Sequence, residues 1–247
     1  MSRFSLLLVF VLVACAGNPS NLTEEYRDKN LSMNLSSKSN SLEVLFTRSN
    51  AGYHGGGLLG VLVSAAVSTA IETHTRSEAS NFRKSVKASF DSILDANNLE
   101  QTYVKQIQAA NWISINNVFS NDPTLDIPLS SDYYDEVAAN LAMSSNDYHA
   151  NLIIDHKFDQ KREYRQVLVF QIFHKYAKDP ESPIYSVLLK ESYSISDSVF
   201  SSASDEDWVA NNGENIRKAI AETTNKISQK FQRLLNNPYD YELHKDV

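Results

Sequence analysis

Apolar and polar positions follow two rhythms along this chain, and the changes of rhythm mark its elements. Leu31, Met33 and Leu35 alternate with polar neighbours, and Leu42-Glu43-Val44-Leu45-Phe46-Thr47 is a stronger strand pattern, so the two are expected to form a hairpin across Ser36–Ser41. From Leu58 the pattern becomes helical and runs to about Thr75. A second helix over about 77–96 sets Phe82, Val86, Phe90 and Ile93 or Leu94 on one face, and a third over about 99–110 aligns Leu99, Tyr103, Ile107 and Ala110. Residues 112–118 read as a strand, and Asp122-Pro123 and Ile127-Pro128 as a loop. Ser131 or Asp132 caps a short helix carrying Tyr133, Val137 and Leu141.

Three strands follow, at about 150–159, 163–176 and 183–196. The middle one, through Val167-Leu168-Val169-Phe170-Gln171-Ile172-Phe173, is apolar on both faces and belongs inside the sheet. Ser204-Asp205-Glu206-Asp207 is a capping box that opens the last helical region. Beyond Gly213, Ile216, Ile220, Thr223, Ile227, Phe231 and Leu234 recur at four, three, four, four and three, an amphipathic helix that stops near Asn236-Asn237-Pro238. Strands, helices, a strand, a short helix, three strands and a long helix predict an α+β two-layer sandwich. A mostly antiparallel sheet would pack against several helices, the longest of them C-terminal.

The first residues follow neither rhythm. Arg3 is the only charge before residue 22, and Phe4 to Ala14 is almost wholly apolar. A basic start, a short apolar stretch and a small-residue exit is the layout of a secretory signal, too short for the roughly 20 residues of a membrane span. The exit reads Leu12-Val13-Ala14-Cys15 and resembles the lipobox of bacterial lipoproteins. The resemblance implies a diacylglycerol on the sulfur of Cys15, cleavage between Ala14 and Cys15, and acylation of the new amino group. It also implies a seat on the periplasmic leaflet of the outer membrane, because Ala16 rather than Asp follows the cysteine; the periplasmic side of the inner membrane is the alternative. The expected organisation is a signal peptide at 1–14, a lipidated flexible tether at 15–29, a single domain at 30–238 and a charged tail at 239–247.

A second resemblance is to uncharacterised proteobacterial envelope lipoproteins. It is carried by Gly55-Gly56-Gly57-Leu58-Leu59-Gly60-Val61-Leu62, Pro183-Ile184-Tyr185 and Trp208-Val209-Ala210-Asn211-Asn212-Gly213. The element order is also distantly similar to the fold of the TolB N-terminal domain and of the curli secretion lipoprotein CsgG. Fold does not carry function with it.

Composition then narrows the chemistry. Cys15 is the only cysteine, which excludes an internal disulfide and a thiolate zinc site. With 23 Lys and Arg against 30 Asp and Glu the net charge is −7, and loss of residues 1–14 removes only Arg3, so nucleic acid is not an expected partner. No nucleophile elbow, zincin helix, phosphate loop or dinucleotide fingerprint is present. No catalytic residue, cofactor or metal is therefore expected. His156 and His174 were the one pair with a prospect of meeting on adjacent strands, with Asp155 and Asp159 nearby, and polar sheet-edge histidines explain them as well. Asp132/Asp135 and Asp205/Asp207 suit helix N-termini through the helix dipole.

Five of the seven glycines fall between residues 52 and 60, and Gly56, Gly60, Ser64 and Ser68 form a small-residue ridge at a spacing of four. The ridge fits close packing of a helix on the sheet first, and self-association or membrane insertion second. The expectation is a non-enzymatic, membrane-anchored envelope lipoprotein that binds a protein partner or takes part in an assembly. An oligomeric secretion-channel component and a hydrolase with an unrecognised site are the alternatives.

Overall fold

The computed structural model describes residues 21–39, 42–44, 81–94 apart from 83, 85 and 88, 98–120, 145–158, 163–177, 183–195 and 204–245. A 3-10 turn at Glu24–Tyr26 leads into β1 (Leu31–Ser39) and the two-residue β2 (Glu43–Val44). Helical residues 81–94 (α1) and α2 (Leu99–Gln108) precede β3 (Ile113–Ser120). Then come β4 (Tyr148–Phe158), β5 (Tyr164–His174), β6 (Tyr185–Tyr193), α3 (Asp205–Asn236) and α4 (Tyr241–Lys245).

The strands form one mixed sheet in the order β3-β1-β4-β5-β6, with β2 paired to β4. The longest ladders, β4 with β5 and β5 with β6, are antiparallel, whereas β1 runs parallel to both β3 and β4. This is the expected α+β architecture, with β5 inside the sheet as its two-sided apolar centre requires. The expected hairpin of the first two strands is not what forms. β2 pairs with Lys157 and Phe158 of β4, and β1 finds its neighbours more than 70 residues downstream. An alternating pattern says which face of a strand is buried, but not which strand lies beside it.

One face of the sheet carries Leu31, Met33 and Leu35 of β1, Ala150, Leu152 and Ile154 of β4, Leu168, Phe170 and Ile172 of β5, and Tyr185, Val187 and Leu189 of β6. Against it α3 sets Ile227, Phe231, Leu234 and Leu235, and α2 sets Tyr103, Val104 and Ile107. Farther along the same face a second cluster joins Phe82, Val86, Phe90 and Ile93 of α1 to Phe158, Tyr164, Trp208, Ile216 and Ile220. On the other face Ile153, Val169 and Phe173 are buried.

The capping box forms as the sequence predicts: Asp207 N–H donates to Ser204 Oγ at 3.2 Å, and Ser204 N–H donates to Asp207 Oδ2 at 2.7 Å. The Ser204 hydroxyl, donating to Asp207 Oδ2 at 2.8 Å, and the Ser204 N–H hold the Asp207 carboxyl below its usual range. Asn211, Asn212 and Gly213 all have positive φ, so α3 is a short piece carrying buried Trp208 and a long piece that begins at the glycine.

Two boundaries differ from expectation. The tether expected at 15–29 is packed from residue 21. Leu22 and Tyr26 are buried in the core, the Leu22 N–H donates to the Pro238 carbonyl at 2.7 Å, and Asn21 Nδ2 donates to the Tyr239 carbonyl at 3.3 Å. Two apolar side chains in a polar stretch suffice for this, because each buried one contributes about 1.5–3 kcal/mol. The charged tail expected at 239–247 is likewise packed through residue 244. Tyr239 donates its hydroxyl hydrogen to the Tyr26 carbonyl at 3.0 Å, and buried His244 places Nε2 3.2 Å from the Tyr185 hydroxyl.

Candidate docking groove at the sheet edge

The sequence-predicted site residues divide sharply. Ala14, Cys15 and the Gly56, Gly60, Ser64 and Ser68 ridge lie outside the described residues, as do Asp132, Asp135 and Asp159. His156 and His174 lie toward opposite ends of the ladder between β4 and β5 and do not meet. His156 pairs with Gln166 and His174 with Tyr148. The eight steps along β5 from Gln166 to His174 span about 27 Å at roughly 3.4 Å each.

Each histidine has a local role. His174 stacks on Tyr148 at 4.5 Å between ring centres and places Nδ1 3.2 Å from the Tyr26 hydroxyl, where partial burial lowers its pKa. His156 is fully buried, with Nδ1 2.7 Å from the Tyr164 hydroxyl and Nε2 3.4 Å from Ser39 Oγ. Burial lowers its pKa to about 3 and raises that of Tyr164. Asp155, on the other face of β4, pairs with Lys157 at 2.8 Å. Among the described residues no group of three or more His, Cys, Asp or Glu is arranged to hold a metal ion.

His156 belongs to a polar seam between the two apolar clusters. Ser37 donates to Glu100 Oε1 at 2.5 Å, Gln166 Nε2 donates to the Tyr103 hydroxyl at 3.1 Å, and Thr223 and Thr224 donate to Gln166 Oε1 at 2.8 and 3.0 Å. A Ser39–His156 contact has the residue types of a nucleophile and its base. A histidine that holds a proton only near pH 3 is a feeble base at neutral pH, however, and its ring is sealed under Phe90 at 5.5 Å. The seam pairs buried polar groups and so fixes the register of α2 and α3 on the sheet.

One accessible feature among the described residues is a groove of about 400 Å³ where α3 meets β6. Among the described residues its lining is Leu188, Leu189, Lys190, Lys230, Arg233, Leu234 and Leu243. Successive residues of a strand point to opposite faces. A groove lined by 188, 189 and 190 together therefore runs over the edge of the strand rather than along one face. That edge is open, because β6 ends the sheet among the described residues. The outward N–H and C=O groups of an edge strand are a template for another strand.

The groove departs from the acidic balance of the whole chain. Lys230 pairs with Glu191 at 2.6 Å, whereas neither Lys190 nor Arg233 has an ion-pair partner among the described residues. Lys226, Lys230 and Arg233 follow one another by four and three, which puts the exposed three on one side of α3. Buried Leu189 and Leu234 make an apolar floor, flanked by half-buried Leu188 and Leu243. Sequence reading missed this site. Its residues come from three elements spread over more than 50 positions, and each is unremarkable in its own stretch of sequence. An apolar floor under exposed cations, beside backbone groups that pair with no strand among the described residues, suits an extended polypeptide better than a small reactive substrate.

Comparison with known proteins adds little to this geometry. No protein-family model matches the chain, and no curated protein matches it. Among solved structures it is similar to the hypothetical protein CT253 of Chlamydia trachomatis. That similarity is at 8% identity over 82% of this chain and 98% of that one, with a TM-score of 0.29, a likeness too low to carry an argument.

Proposed function

We propose that the chain is a lipid-anchored, non-enzymatic component of the bacterial cell envelope that binds a protein partner through its folded domain. The observation that carries the reading is Leu12-Val13-Ala14-Cys15, an apolar signal-like stretch ending at the only cysteine of the chain. A cysteine acylated on sulfur and on its amino group would hold the protein at the membrane, since two or more chains make release negligible. Ala16 favours the periplasmic leaflet of the outer membrane over the inner membrane. The edge of β6, which has no neighbouring strand among the described residues, and its groove support a binding role, and the weak basicity of buried His156 weighs against acid–base chemistry in the seam.

Replacing the cysteine tests the anchor. Cys15→Ser should abolish incorporation of labelled palmitate and remove the mature protein from the membrane fraction. Unchanged labelling or unchanged retention would sink the reading.

A further inference from the structure

We infer that the groove at the edge of β6 takes an extended, acidic and apolar segment of a partner protein, which adds to the sheet as its next strand. The inference rests on the protein-binding reading above and names the chemistry of the partner. Three observations converge. The edge of β6 offers nine residues of backbone, about 30 Å, to a strand laid beside it. The floor of Leu189, Leu234 and Leu243 accepts apolar side chains on the face turned to α3. Arg233 on the helix side and Lys190 on the opposite side are placed to meet carboxylates, with Lys230 beside them already paired to Glu191.

The charge pattern also chooses between occupants. Two copies of this chain pairing edge to edge through β6 would bring two sets of groove cations into one interface, where like charges are unfavourable. A partner segment with carboxylates has no such penalty. A lysine on an open edge also guards against aggregation. That role accounts for Lys190 but not for Lys230 and Arg233, which belong to α3, nor for an apolar floor beneath them.

The mature lipoprotein in detergent is titrated against fluorescein-labelled ten-residue peptides, read by fluorescence anisotropy. A peptide alternating Val with Glu should bind at least tenfold more tightly than one alternating Val with Lys, and more weakly as salt rises. N-methylation of alternate residues should abolish binding when it blocks one edge of the peptide and spare it on the other edge, the mark of strand addition. Combining Lys190→Glu with Arg233→Glu, both on exposed side chains, should weaken the Glu peptide at least tenfold and strengthen the Lys peptide.

Equal affinity for the two peptides overturns the inference, as does indifference to N-methylation on either edge or a change under twofold in the charge-reversed protein. A photocrosslinking amino acid in place of Lys190, used in the native cell, separates the two levels. If the peptides fail and Lys190 still crosslinks to a discrete protein, the strand-addition chemistry is wrong and the protein-binding reading stands. If the peptides fail and neither Lys190 nor Arg233 crosslinks, both fall.

Discussion

His156 shows how one buried side chain makes the fold sensitive to acid. The unfolded chain takes up this proton near pH 6.5, but the folded chain, in which the ring is desolvated, resists it until about 3. Stability from this residue is therefore intact above 6.5 and is lost as pH falls from 6.5 toward 3, at about 1.4 kcal/mol per pH unit. Urea denaturation at pH 7 and pH 5 should show a loss of about 2 kcal/mol from this source. His156→Gln, which has no proton to gain, should flatten the slope; an equal acid sensitivity in the variant would contradict the assignment. Partial burial of His174 and His244 acts in the same direction.

Gly213 makes the opposite kind of point, because its role lies in the backbone. Its φ is +76°, and a Cβ there would lie 3.3 Å from Ile93 Cδ1. Gly213→Ala should cost about 1–2 kcal/mol in denaturant melts, while Asn211 and Asn212 hold positive φ as asparagine readily does. The sequence placed this glycine at the start of the long helix. The φ itself, and the contact with Ile93 120 residues earlier, depend on how α1 and α3 meet and leave no local trace.

At the scale of elements, what could be read and what could not follow one physical line. Local rules set the strands at 148–158, 164–174 and 185–193, the helix at 99–108 and the Ser204 cap, and these form within two or three residues of where periodicity and capping put them. Pairings between distant segments are set by the whole core. The parallel partners of β1 were misread as a hairpin because both arrangements have the same alternating pattern. The two ends of the domain were misread for a related reason. Leu22 and Tyr26 need Pro238 and Tyr239 as partners, so neither segment looks structured alone. Deleting residues 238–247 should therefore speed amide exchange at Leu22 and Arg27, far from the cut in sequence, and lower the melting temperature by uncovering Tyr185. Exchange at Leu22 that stayed slow would show that the N-terminal segment holds itself.

Across the whole molecule, the 3-10 turn, the end of α3, α4, the start of β4, the end of β5 and the start of β6 gather at one end of the domain. Asn21, the first of the described residues, lies at that end. Only five residues lie between Cys15 and Asn21, so the six Cα–Cα steps have a covalent reach of at most about 22 Å. The groove begins a further 10 to 17 Å or so along β6 from Tyr185. On the proposed reading the domain is thus on a short leash, and its groove patrols a thin layer beside the bilayer. A partner anchored in the same leaflet would share that layer, and confinement would raise its effective concentration above that of the same partner free in solution. An affinity too weak to hold the two proteins together in solution would then suffice at the membrane. Inserting Gly-Ser repeats between Ala16 and Asn21 should progressively weaken crosslinking to an anchored partner and leave the affinity for a free peptide unchanged.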